Sequence, residues 1–119
     1  LVVGEVRGGE VRELLTALNT GHEGGAGTLH ANRLEDVIAR FEALGALAGL
    51  SPESTRAQVA SAIEVVIHLR RGPAGRRVEA IGVLARDSGR LAVDVALDRH
   101  QEGGRGLGWQ KLRQRLGRP

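Results

Sequence analysis

The chain has 119 residues, a hydrophobic fraction of 41% and only two aromatic side chains, Phe41 and Trp109, which suits one small domain with a thin core of Leu, Val, Ile and Ala. Cysteine is absent, so disulfides, thiolate zinc sites and thiol catalysis are excluded. The longest apolar stretches fall far short of the ~18–20 residues that a membrane span needs, and the composition predicts a soluble domain. The formal charge of +3 is uneven, because residues 1–98 hold 11 basic and 13 acidic groups and residues 99–119 hold six and one; the basicity belongs to the tail.

The run Leu1-Val2-Val3 has no cap or turn before it. It reads as the end of a buried strand and predicts that the sequence is the C-terminal piece of a longer protein. Behind it, Val11, Leu14, Leu15 and Leu18 fall at i, i+3, i+4 and i+7, one face of a helix near 9–19 that Gly21 would stop. Gly24 to Gly27 is too rich in glycine for regular structure, and Thr28-Leu29-His30 predicts a short strand. Asn32 and Glu35 form a capping box for a helix with the apolar stripe Leu34, Val37, Ile38, Phe41 and Leu44. Ser51-Pro52 then opens another helix that runs to about Ala62.

Beyond that point the apolar period drops to two. Ile63, Val65, Ile67 and Leu69 alternate, as do Leu91, Val93, Val95 and Leu97, with a strand over Val78 to Ala85 between them and turn chemistry at Asp87-Ser88-Gly89. The result is a small β meander. Gly103 to Gly106 reads as a linker, and Trp109, Leu112 and Leu116 share one side of a short basic helix. The element order predicts an α/β fold with a mostly parallel sheet ending in that meander, over residues 1–98, and a flexible basic tail over 99–119.

Two stretches could hold chemistry. Val2-Val3-Gly4-Glu5-Val6-Arg7-Gly8-Gly9-Glu10 is an apolar strand ending in an acid, and ligands of open parallel sheets bind beyond the carboxyl ends of the strands. There Glu5 could hold a metal-bound water or orient a water toward a γ-phosphate, with Arg7 as a cation and Gly8-Gly9 allowing close backbone approach. The alternative is a strand-ending turn with solvated charges. Thr20 to Asn32 holds two His, two Thr and four Gly, and such a backbone admits a phosphate while imidazole can donate to it. A lone His is more often structural. His22 and His30 lack the spacing of a helical zinc site, and His68 and His100 have no partners by spacing. The only Lys, Lys111, lies in no phosphate-binding loop, so the sequence holds no Walker A motif.

Taken together, Val2 to Glu10 resembles the Walker B segment of the type II/IV secretion ATPase superfamily, and Gly27-Thr28-Leu29-His30-Ala31-Asn32 resembles its His box. Leu18 to Gly24 is most similar to the Tad (tight adherence, CpaF-like) branch, including actinobacterial conjugal-transfer-associated ATPases. The resemblance implies the C-terminal half of a RecA-like P-loop NTPase domain that works with ATP and Mg2+ as a homo-oligomeric ring, usually a hexamer. It implies a place in the cytoplasm, peripheral at the cytoplasmic membrane and against platform proteins of a secretion or pilus apparatus, where hydrolysis drives protein export or Tad-type pilus assembly. Carried over by position, Glu5 is the catalytic acid that acts on magnesium through water. His30 couples the γ-phosphate state to movement, and Gly4, Arg7, Gly8, His22 and Thr28 lie near the nucleotide. Without Walker A the fragment alone is expected to be inactive. The competing readings are a DNA-translocating motor of conjugal transfer, with nucleic acid the less favoured partner, and a non-catalytic interaction module.

Overall fold

The computed structural model describes residues 2–20, 25–87, 90–100 and 104–117. The chain divides into two units, one of residues 1–32 and 36–63 and the other of residues 33–35 and 64–119.

The first unit contains β1 (Val2–Val6), α1 (Val11–Asn19), β2 (Ala26–Leu29), α2 (Val37–Leu47) and α3 (Pro52–Ala62). β1 and β2 pair in parallel, so α1 is the crossover of a βαβ turn. The face predicted for α1 is the buried one: Val11, Leu14 and Leu15 are sequestered. They join Val6, Val37, Phe41, Leu44 and Val59 as the buried apolar residues of this unit. The glycine-rich stretch before Thr28 is more regular than expected, since Ala26 and Gly27 are already in β2, where Leu14 lies against Gly27. His30 falls just outside the strand. Gly21, the expected helix stop, lies outside the described residues. Within them, the Thr20 hydroxyl donates to the Thr16 carbonyl at 2.8 Å and closes the last turn of α1.

The capping box is displaced by structure. A 3-10 turn over Leu34–Asp36 precedes α2, so Asn32 and Glu35 stand one turn ahead of the helix they were expected to cap. The Ser51 cap forms as read: its Oγ accepts the Ser54 N–H at 3.1 Å, and Pro52 opens α3. Arg56 of α3 reaches Glu42 of α2 at 3.0 Å, and the Asn19 side-chain amide donates to the Gln58 carbonyl at 3.3 Å, tying the three helices.

The second unit is an antiparallel sheet in the order β3 (Val65–Gly72), β4 (Gly75–Asp87) and β5 (Arg90–Asp98), followed by α4 (Trp109–Leu116). This corrects the mostly parallel sheet expected from sequence. The meander holds three strands against two in the parallel pair, because its connections are too short for a crossover and hairpins are antiparallel. Asp87 pairs with Arg90, although Ser88 and Gly89, the expected turn residues, lie outside the described ones. Each ladder contains an irregularity. On β4, Glu79 is extra between the pairs His68–Ala80 and Leu69–Val78; on β5, Ala96 is extra between Leu97–Ile81 and Val95–Gly82. The second shifts the phase of β5, so fully buried Ala96, rather than a member of the Leu-Val series, enters the core with Val83 and Leu112. Residues 104–117, in the segment set apart above as a tail, run along β5. Gly106 and Gly108 donate to the carbonyls of Ala96 and Val95 at 3.0 and 2.8 Å, and Lys111 bonds Asp94 at 2.8 Å. No helix among the described residues is long and apolar enough to cross a membrane.

Candidate functional site

Parallel pairing brings the carboxyl ends of β1 and β2 to the same edge. Glu5 is in register with Thr28 and Val6 with Leu29, so Arg7 and His30 are the first residues beyond the two strand tips. Between Val3–Gly27 and Glu5–Thr28 the ladder skips one residue, and that residue is Gly4. By backbone placement, then, the structure gathers Gly4, Glu5, Arg7 and Gly8 of one segment beside Thr28 and His30 of the other. Thr28, His30 and Arg7 are exposed. His22 lies outside the described residues.

The loop from β1 to α1 is held by a residue that the sequence reading left without a role. The Glu10 carboxylate accepts the Arg7 backbone N–H at 2.7 Å and the Gly8 N–H at 3.3 Å through one oxygen, while Val11 N–H donates to the Gly8 carbonyl at 3.1 Å and Arg12 N–H to Gly9 at 3.2 Å. The bond from the Arg7 amide is the main reason the Glu10 carboxyl is held below the usual carboxylate range; the Glu10 backbone amide, then the Gly8 amide and the Arg7 cation add to it, against a smaller opposing effect of desolvation. The signal in the sequence is an acid placed at the start of a helix four residues after a strand tip, which can satisfy amides that the chain leaves unpaired.

This arrangement tests the fit of a nucleotide. The Arg7 and Gly8 amides of this loop already donate to Glu10, so they leave no free pair to cradle a triphosphate. No cluster of three or more metal-ligating side chains occurs among the described residues. The exposed Thr28 hydroxyl, on the residue in register with Glu5, and the exposed His30 imidazole just beyond the strand are donors that fit a phosphate group.

Comparison with known proteins gives the same direction. The type II/IV secretion system protein family matches residues 1–106. A putative conjugal transfer protein of Mycobacterium tuberculosis is 57% identical over 97 residues, 80% of this chain and 28% of the relative. A probable conjugal transfer protein TrbB of Sinorhizobium fredii is 40% identical over 81 residues, 68% of this chain and 24% of the relative, and conjugal transfer protein TrbB of Rhizobium radiobacter is 37% identical over 81 residues. The chain thus spans about a quarter of the length of the relatives it matches. With the motif-bearing segments inside the matched region, the chain belongs to the type II/IV secretion system protein family.

Proposed function

We propose that this chain is the Walker B and His-box part of a RecA-like ATPase domain whose phosphate-binding loop lies elsewhere in the intact protein. The observation that supports the reading most is the register of β1 against β2, which sets Glu5 beside Thr28 and leaves His30 one residue beyond the paired tips. ATP and Mg2+ are the ligands. With Mg2+ bound, Glu5 would hold one of its waters and would accept a proton from the attacking water, which needs an acceptor fixed on a rigid strand. Bound Mg2+ neutralises charge developing on the phosphate oxygens. His30 contacts the γ-phosphate side and passes its presence to the backbone that follows, while Arg7, Gly4, Gly8, Thr28 and His22 complete the surroundings. The intact protein works as a ring, with a hexamer the expected size, at the cytoplasmic face of the membrane. There it acts against platform proteins of a secretion apparatus and drives protein export or Tad-type pilus assembly.

In the intact protein, Glu5→Gln is expected to reduce ATP turnover by about 10²–10⁴-fold, the range for a general base, with ATP binding retained. Hydrolysis at the wild-type rate would contradict the role. A second reading, movement of DNA, is favoured by the relatives named as conjugal transfer proteins. Stimulation of hydrolysis by DNA supports it, and its absence returns the reading to protein export.

A further inference from the structure

The hairpin of β3 and β4 ends in Leu69-Arg70-Arg71-Gly72-Pro73-Ala74-Gly75-Arg76-Arg77-Val78. Its register places Arg70 opposite Arg77 and Arg71 opposite Arg76. Like charges set directly across an antiparallel pair are destabilising. All four are exposed, and no Asp or Glu occurs from residue 65 to residue 78. Among the described residues, Arg70 lies 3.5 Å from Glu79, a nearly buried carboxylate that also bonds His100 and feels the charge of Arg77. Charge is a common guard for an exposed edge strand, and that would account for Arg70 and Arg71 on β3. Arg76 and Arg77 lie beyond the pairing of β4 with β5, which begins at Ala80, so they too stand on an open edge, but an acid in either place would guard it equally and would turn a repulsive pair into an attractive one.

Because side chains alternate along a strand, Arg70 and Arg77 stand on one face of the ribbon and Arg71 and Arg76 on the other. The result is a prong with two cations on each side. A flat anionic surface such as a lipid bilayer meets one face of a ribbon; a partner with anionic walls on both sides meets two. The major groove of duplex DNA is wide enough to admit a two-stranded ribbon and is bordered by phosphates on either side. The hairpin has no aromatic side chain on which an unpaired base could stack. It also offers no Asn or Gln for reading adenine edges.

We propose that the β3–β4 hairpin is a contact for duplex DNA, engaging the phosphate backbone through both arginine pairs. The contact uses no nucleotide chemistry, so a protein that bound duplex through this hairpin without hydrolysing ATP would lose the preceding reading and keep this one.

The test uses the intact protein and a fluorescein-labelled mixed-sequence duplex of about 30 base pairs, long enough to offer several turns of groove, read by anisotropy across a salt series. If all four arginines meet phosphates, their share of the affinity falls about 10²-fold between 50 and 200 mM salt. Arg70→Gln with Arg77→Gln, and separately Arg71→Gln with Arg76→Gln, should each lower the slope of log affinity against log salt by about two. Arg71→Glu should weaken binding more than Arg71→Gln without lowering the melting temperature, since it removes a repulsive pair; this separates lost contact from lost fold. Arg113→Gln on α4 should leave the slope unchanged. Duplex binding that both double variants retain in full would overturn the proposal, as would an intact protein that does not bind duplex at low salt. Binding to phosphatidylglycerol vesicles rather than to duplex, weakened by only one of the two double variants, would overturn it in favour of a membrane contact.

Discussion

The first unit holds four basic and seven acidic residues, and the second holds thirteen basic and seven acidic. The acidic unit places its candidate chemistry at the tips of a parallel pair, where the α1 crossover forces both strands to end at one edge. The basic unit is built by hairpins, which return the chain to where it started and project a turn outward. Connection type therefore decides what each can offer. A crossover collects residues distant in sequence, such as Glu5 and His30, at one place. A hairpin concentrates residues near in sequence, such as the four arginines from Arg70 to Arg77, on one prong.

The comparison can be broken most sharply at the core of the second unit. Leu112 is the buried anchor of α4 against Val83 and Ala96. Leu112→Ala should cost about 2–5 kcal/mol in chemical denaturation of the intact protein, and it should leave the Ser51 cap and the helices of the first unit undisturbed, as read by their amide exchange. Next in size are two close approaches, one in each unit. A methyl on Gly45 of α2 would overlap the Thr55 side chain, whose Cγ2 would lie 2.9 Å away, and one on Gly82 of β4 would overlap Val93 and Leu34. Gly45→Ala and Gly82→Ala should each destabilise by about 1–3 kcal/mol through overpacking. Equal stability of either variant and the wild type would show that the neighbouring side chain has room to withdraw. Ser51→Ala removes a formed cap and should cost about 1 kcal/mol, measurable as a shift in denaturation midpoint.

The smallest expected effect sharpens the account of the strand-tip loop. Glu10 binds its proton less tightly in the folded chain than in the unfolded one, because the Arg7 amide bonds its ionised form. Its contribution is therefore fully present above the ordinary carboxyl value of 4.5 and fades as pH falls through the lower folded value. Glu10→Gln keeps an acceptor for the Arg7 and Gly8 amides but no titrating group. Below about pH 4.5 its melting temperature should fall less steeply with acidification than that of the wild type. Parallel pH profiles for the two proteins would remove Glu10 from that role.

Much of this organisation was legible in the sequence where one local rule decided the outcome. The spacing of Val11, Leu14 and Leu15 fixed the buried face of α1, and Ser51-Pro52 marked the start of α3 because a hydroxyl acceptor and a preset φ act within a few residues. The alternation over Leu91 to Leu97 identified β5 but misplaced its core residue. One extra residue at Ala96 inverts the pattern, and nothing in composition announces a bulge. The 3-10 turn ahead of α2 escaped for a similar reason. Leu34, placed in the helical stripe of Phe41 and Leu44, packs toward Gly82 within the second unit, a contact 48 residues distant in sequence. At the candidate site, Glu5 and His30 were visible through the motifs around them. Glu10 and the paired arginines were not, because their meaning depends on which backbone amides and which opposing strand they meet.

The central claim is that Glu5 and His30 serve one phosphate site at the paired tips of β1 and β2. It is tested most directly by measuring nucleotide binding and single-turnover hydrolysis by the intact protein carrying Glu5→Gln or His30→Ala. The account predicts that both variants bind ATP, that Glu5→Gln loses at least about 99% of the hydrolysis rate and that His30→Ala hydrolyses more slowly than the wild type; wild-type hydrolysis by either one would contradict it.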